Sequence, residues 1–200
     1  MAKRTLREWD LFQLRLARLY STMSKDPSTK VGAVVCDKDS KHVFGLGYNG
    51  LPSCIADTDD ILYNREKKYE LMHHAEDNAI VRASGATRGE TDGLTIVIYP
   101  FTACSLCAEE IIACGIARVV TLDYAPKRWL DNFKESERML KEAGVEVVKY
   151  QPFELDHGDV SRYTELWTDG SSIYPAHPLE PPPYQNRWFN PITKEWEYFE

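Results

Sequence analysis

The chain predicts an α/β protein: a three-layer α/β/α sandwich around a central five-stranded mixed sheet, followed by an aromatic- and proline-rich C-terminal extension. Three observations predict it. Short β-rich runs fall at residues 31–36, 43–48, 94–99, 117–122 and 145–150, and after the first pair each is separated from the next by a stretch of helical period. Strands alternating with helices call for a sheet covered on both faces. Gly115 and Gly144 stand where two of those helices should stop. After Tyr150 the composition changes: aromatics such as Trp167, Trp188 and Trp196 crowd a tail kept extended by Pro181, Pro182 and Pro183. Disordered tails are poor in aromatics. Residues 1–150 therefore read as one domain, and 151–200 as an extension packed on that domain or on a neighbouring subunit.

In chain order, residues 6–23 form a helix whose core face is predicted to be Leu6, Trp9, Leu16, Leu19, Tyr20 and Met23. Pro27 ends that region. Residues 31–36 and 43–48 pair as a hairpin across a turn at 37–41. Gly32, Gly45 and Gly47 interrupt these strands, which signals close approach of a ligand or tight packing. Residues 54–68 read as an irregular acidic insertion, with Asp57, Asp59 and Asp60 clustered. It is either a solvated loop or a lid beside a pocket. Helices follow at 75–84, 106–114 and 129–143, each leading into a strand.

The net charge of −7 argues against a protein held on DNA or RNA by phosphate contacts. A small anionic substrate needs only a local cationic pocket. Five cysteines make no even disulfide framework, which indicates a reducing compartment. No apolar run approaches membrane length. The expectation is a soluble, cytoplasmic protein with no nucleic-acid and no membrane partner.

Two short motifs carry chemistry: His74-Ala75-Glu76 and Cys104-Ser105-Leu106-Cys107. Both fall at predicted helix starts, where unpaired N–H groups and the helix dipole favour a thiolate. Cysteines three apart on a first turn can face one ion. A catalytic zinc takes three protein ligands and keeps one open position; His74, Cys104 and Cys107 would supply the three. Glu76 would bind no metal and would carry protons. His-x-Glu followed by Cys-x-x-Cys resembles the signature of zinc deaminases that act on nucleobases. Cys-x-x-Cys alone also fits a redox pair or a structural zinc, whose fourth ligand would be His73, Cys54, Cys36 or Cys114.

Further elements sharpen the resemblance: Val31-Gly32-Ala33-Val34-Val35, Gly47-Tyr48-Asn49-Gly50-Leu51-Pro52 and Lys68-Tyr69, then the stretch from His74 to Ile80 and the cysteine pair. Together they closely resemble the deoxycytidylate (dCMP) deaminases over residues 6–150. The resemblance implies a cytidine deaminase-like fold and zinc-dependent conversion of dCMP to dUMP and ammonia for thymidylate synthesis. It implies one catalytic Zn2+ and a homohexamer activated by dCTP and inhibited by dTTP, the effector carrying Mg2+. By position, Asn49 would hydrogen-bond the nucleoside, and Val31 and Gly32 would wall the base. The Ala75 N–H and the Thr102 carbonyl would read the edge of cytosine, and Tyr124 would reach the substrate. Lys25, Lys30, Lys127 and Arg128 are the candidates for phosphate, with Lys30 preferred.

Ala103 stands where the family usually has proline, which suggests extra room near the base and a different substrate, a 5-substituted dCMP. The same motifs also fit a dCTP deaminase or a non-catalytic zinc nucleotide-sensing module. Cys54 and His73 alone cannot build the second, structural zinc of some relatives.

Overall fold

The computed structural model describes residues 3–157, 187–190 and 195–198. The chain divides into two units, Met1–Gln151 and Pro152–Glu200.

The first unit opens with α1 (Leu6–Ser21). A capping box starts it: the Glu8 N–H donates to Thr5 Oγ1 at 3.3 Å, and the Thr5 N–H donates to the Glu8 carboxylate at 2.6 Å. The helix lies where the sequence predicts, but its inward face does not. Leu6, Leu19 and Met23 are exposed, and Trp9, Leu16 and Tyr20 are half-buried. The core takes Leu11, Leu14 and Ala17 together with Asp10, Gln13 and Ser21. Helical period marks apolar stripes but cannot rank two of them on one helix. A polar network ranks them here. Asp10 accepts two bonds from Arg118 at 2.8 and 2.6 Å, one from Ser40 Oγ at 2.7 Å and one from the Tyr150 hydroxyl at 2.8 Å. A buried carboxylate needs such partners, and meeting them sets the rotation of α1.

The strands are β1 (Gly32–Cys36), β2 (Val43–Tyr48), β3 (Thr95–Tyr99), β4 (Arg118–Leu122) and β5 (Glu146–Tyr150). Their order is β2-β1-β3-β4-β5. β1 runs antiparallel to β2 and β3, while β3, β4 and β5 are parallel. This is the five-stranded mixed sheet that the sequence predicts. The other helices are α2 (Asp59–Leu62), α3 (Arg65–Leu71), α4 (Ala75–Ala86), α5 (Ser105–Ala113) and α6 (Leu130–Glu142), the last entered through a 3-10 turn at Lys127–Trp129. α1 covers one face of the sheet, and α4, α5 and α6 share the other with Ala33, Val35, Ile96, Ile98 and Val119.

The strand glycines serve packing. A Cβ on Gly32 would collide with the Ala17 carbonyl of α1; one on Gly45 or Gly47 would collide with the Ala79 or Ala75 carbonyl of α4. Both helices thus lie on the sheet at backbone contact. Gly32, expected as part of the wall against the base, turns its open side to α1 instead. The insertion is more ordered than its composition predicts: it holds α2 and the start of α3, and the Asn64 side chain caps α3 by accepting the Lys67 N–H at 3.3 Å. Its acids are solvated partners of surface lysines, Asp57 with Lys25 and Asp60 with Lys67, each at 2.6 Å.

The second unit contains α7 (Pro152–His157) and an antiparallel ribbon of β6 (Arg187–Asn190) and β7 (Glu195–Tyr198), with Arg187 opposite Tyr198. The expected packing of the extension lies outside the described residues. Among the described residues, no helix is long and apolar enough to cross a membrane.

Candidate metal centre and substrate cavity

β2, β3 and β4 end, and β1 begins, at the same end of the sheet. Ligands of open α/β sheets sit beyond strand ends of this kind. Four segments converge there. A two-way backbone bridge between Gly50 and His73, with bonds of 3.1 and 3.0 Å, sets the chain just before α4. Asn78 Nδ2 donates to the Tyr48 carbonyl at 3.0 Å and ties α4 to the end of β2. His74 is the N-cap of α4 and Cys104 the N-cap of α5. Asn132 of α6 fixes the start of α5: its Oδ1 accepts the Ser105 N–H at 3.0 Å and its Nδ2 donates to Ser105 Oγ at 2.9 Å.

These anchors bring three metal-competent donors together. His74 Nδ1 lies 3.1 Å from Cys107 Sγ and 3.5 Å from Cys104 Sγ, and the two sulfurs are 3.5 Å apart. Tetrahedral zinc, with bonds of about 2.3 Å to sulfur and about 2.0 Å to nitrogen, keeps its donors about 3.5–3.8 Å apart. Two soft sulfurs and an imidazole also suit zinc chemically. Among the described residues no fourth His, Cys, Asp or Glu joins this group, so His73, Cys36, Cys54 and Cys114 stand outside it.

The donors share charge unevenly. The hydrogen bond from Cys107, opposed by burial and aided by His74, holds the Cys104 thiol down at about 4. The neighbouring Cys104 raises His74 to about 9, and the same sulfur, with burial, pushes the Cys107 thiol up. Glu76, in the first turn of α4, is buried, and burial raises its carboxyl to about 7 against the pull of His74.

A cavity of about 90 Å³ opens at this group, lined by Val31, Asn49, His74, Ala75, Glu76, Thr102 and Cys104 among others. Thr102 Oγ1 is buried there without a hydrogen-bond partner. Asn49 Oδ1 accepts the Val31 N–H at 2.8 Å, and its Nδ2 donates to the Thr29 carbonyl at 2.9 Å. These bonds turn Thr29 and Val31 toward the cavity, and Lys30 between them is exposed and outside the lining. Tyr124 also lies outside it. Its N–H folds back to the Leu122 carbonyl at 2.9 Å, and the 3-10 turn that follows brings Arg128 and Trp129 to the cavity instead. Ala103 is fully buried in the core and does not line the cavity, so it opens no room against a base.

Residues 7–123 match the profile of the cytidine and deoxycytidylate deaminase zinc-binding region. The chain belongs to the cytidine and deoxycytidylate deaminase family. It is 36% identical to an uncharacterized deaminase in the luxG 3' region of Aliivibrio fischeri, over 70% of this chain and 92% of that one. It is 32% identical to the deoxycytidylate deaminase of Mus musculus, over 83% and 88% of the two chains. The structure of dCMP deaminase from the cyanophage S-TIM5 in complex with dCMP and dUMP superposes with a TM-score of 0.57 at 25% identity, over 75% of this chain and all of that one.

This deaminase carries several residues at or beside the site to which sequence reasoning assigns no role. Phe101, Trp129 and Phe133 form an aromatic wall, with centroids 5.3 Å apart for Phe101 and Phe133 and 6.2 Å for Trp129 and Phe133. Lys68 lines the cavity as a buried cation, 2.9 Å from Asp26. Asp77 accepts the His74 N–H at 3.3 Å and lies 3.8 Å from Cys107 Sγ. Asp77 left a local signal, as the acid three residues after a helix N-cap, and Lys68 stands in the Lys68-Tyr69 element, whereas Phe101, Trp129 and Phe133 left none.

Proposed function

We propose that the chain hydrolyses dCMP to dUMP and ammonia, with zinc held by His74 Nδ1, Cys104 Sγ and Cys107 Sγ. The observation that carries this reading is the three-donor set beside a buried Glu76 at one cavity. Three protein donors are the number found at catalytic zinc sites. The zinc, when bound, supplies a Lewis acid that lowers the pKa of a coordinated water toward ~7. Glu76 takes one proton of the attacking water and gives it to N3 of cytosine, then takes the second from the hydroxyl added at C4 and gives it to the amino group, which leaves as ammonia while the C4 carbonyl forms. A carboxyl raised to about 7 is matched to carrying a proton in both directions. The Thr102 carbonyl accepts from the amino group, the Ala75 N–H donates to the ring carbonyl oxygen, and Val31 and the aromatic wall enclose the base. Asn49 Oδ1, engaged once by Val31, keeps a lone pair for the sugar.

The relatives named deoxycytidylate deaminase support dCMP as the substrate. Ala103 sits in the core and does not line the cavity, so it gives no reason to prefer a 5-substituted cytosine. The family resemblance supports a homohexamer regulated by dCTP and dTTP with Mg2+, which light scattering with and without each effector tests. The test of the reaction is ammonia release by zinc-loaded protein from deoxycytidine, dCMP, 5-methyl-dCMP and dCTP. Preferred turnover of dCMP is expected; silence across the panel with zinc bound would leave a nucleotide-sensing module.

A further inference from the structure

Cys104 serves two ends at once. It is the N-cap of α5, and its sulfur is turned to His74 Nδ1 and Cys107 Sγ, each at 3.5 Å. The first N–H groups of a helix need acceptors from outside the helical ladder. An N-cap side chain serves the second or third of them, which leaves the first, that of Ser105, to be met elsewhere. Asn132 of α6 meets it: Oδ1 accepts the Ser105 N–H at 3.0 Å. Asn132 Nδ2 donates in turn to Ser105 Oγ at 2.9 Å, so one amide closes on one residue at two points. Two bonds fix the orientation of Ser105 as well as its distance.

The other end of the same segment is also held by α6. Phe101 packs on Phe133, with ring centroids 5.3 Å apart. Residues 101–104 belong to no helix or strand, and Thr102 and Cys104 among them line the cavity. Alanine at 103 leaves its own φ free, where a proline would fix it. The segment is therefore held from outside, by two consecutive residues of α6. Asn132 lines neither cavity and is not one of the three metal donors.

We propose that Asn132 is a positioning residue of the metal centre, which holds Cys104 on the ion by clasping the residue that follows it. The inference rests on the reading that His74, Cys104 and Cys107 hold zinc, and it deepens that reading. α6 then has two duties: Trp129 and Phe133 wall the cavity, and Asn132, between them in sequence, keeps the metal-bearing start of α5 in register.

The experiment is zinc release from zinc-loaded protein into excess chromogenic chelator. It compares the unaltered chain with Asn132→Leu, Asn132→Asp, Ser105→Ala and Asn64→Leu. Asn132→Leu loses both bonds and should release zinc roughly 10- to 100-fold faster, the weight of a residue that orients a metal ligand. Asn132→Asp keeps acceptors for the Ser105 N–H and hydroxyl, beside a helix start that favours a carboxylate, and should restore slow release. Ser105→Ala loses one bond of the two and should fall between. Asn64→Leu removes a helix cap of the same residue type from α3, which carries none of the three donors. It should lower the melting temperature and leave release unchanged. With Co2+ in place of zinc, Asn132→Leu should weaken the sulfur-to-metal absorption while its far-ultraviolet circular dichroism stays that of the unaltered chain. Unchanged release in Asn132→Leu would overturn the proposal, as would fast release in Asn132→Asp or an equal acceleration in Asn64→Leu. If Asn132→Leu does not fold, Ser105→Ala decides: faster release supports the proposal and unchanged release overturns it. A chain whose zinc retention depends on Asn132 yet releases no ammonia from dCMP fails the deaminase reading and keeps this one. A chain that deaminates dCMP with zinc release indifferent to Asn132→Leu does the reverse.

Discussion

Lys68 Nζ and Asp26 Oδ1 lie 2.9 Å apart with both side chains only 7% exposed, and this pair holds one wall of the cavity. Asp26 also accepts the Ser28 N–H at 2.7 Å and is approached by Asn49 Nδ2 at 3.4 Å. Removing one partner strands a charge in a dry place. Lys68→Met is expected to destabilise the fold by about 3–5 kcal/mol, and Asp26→Asn by a similar amount. The double variant should lose less than the sum. Urea denaturation of the four proteins measures this, and strict additivity would show that the pair is not coupled.

The two glycine positions near α4 give substitutions of opposite sign. Gly47→Ala places a methyl against the Ala75 carbonyl, which can yield only if α4 moves. It should destabilise by about 1–3 kcal/mol and weaken zinc retention, because His74 caps that helix. Gly85 lies in the same helix with nothing near its missing Cβ. Gly85→Ala should stabilise by about 0.5–1 kcal/mol. Thermal melts with zinc analysis test both, and a stable, zinc-replete Gly47→Ala would contradict the close contact.

Five strands, the main helices and the gathering of His74, Glu76, Cys104 and Cys107 at one cavity are legible in the sequence, because each follows from short spacing or local period. The face that α1 turns inward is not. It depends on Asp10 meeting Arg118 and Tyr150, which are 108 and 140 residues away along the chain. The same holds for Arg128 and Lys68: a cation becomes a cavity residue only through where its turn or helix lands. Ala103 misleads for a related reason, since its place beside a zinc-ligand candidate in sequence is a place in the core in space.

Thiol chemistry separates the cysteines. Cys54 is exposed, whereas Cys36 is fully buried and its thiol is pushed up to about 12 by burial. Iodoacetamide at neutral pH should modify Cys54 in the zinc-loaded protein and leave Cys36 untouched. Chelation should add Cys104, whose thiol is held at about 4 by the Cys107 hydrogen bond. Mass spectrometry of the labelled peptides reads the pattern, and labelling of Cys104 before chelation would argue against its holding the metal.

Glu76 stands at the centre of the mechanism as a proton carrier that binds no metal. The direct measurement is zinc content and ammonia release from dCMP for the unaltered chain and for Glu76→Gln. The expected result is full zinc occupancy in both and a loss of turnover on the order of 10²–10⁴-fold in the variant. Normal turnover by Glu76→Gln, or loss of its zinc, would contradict that role.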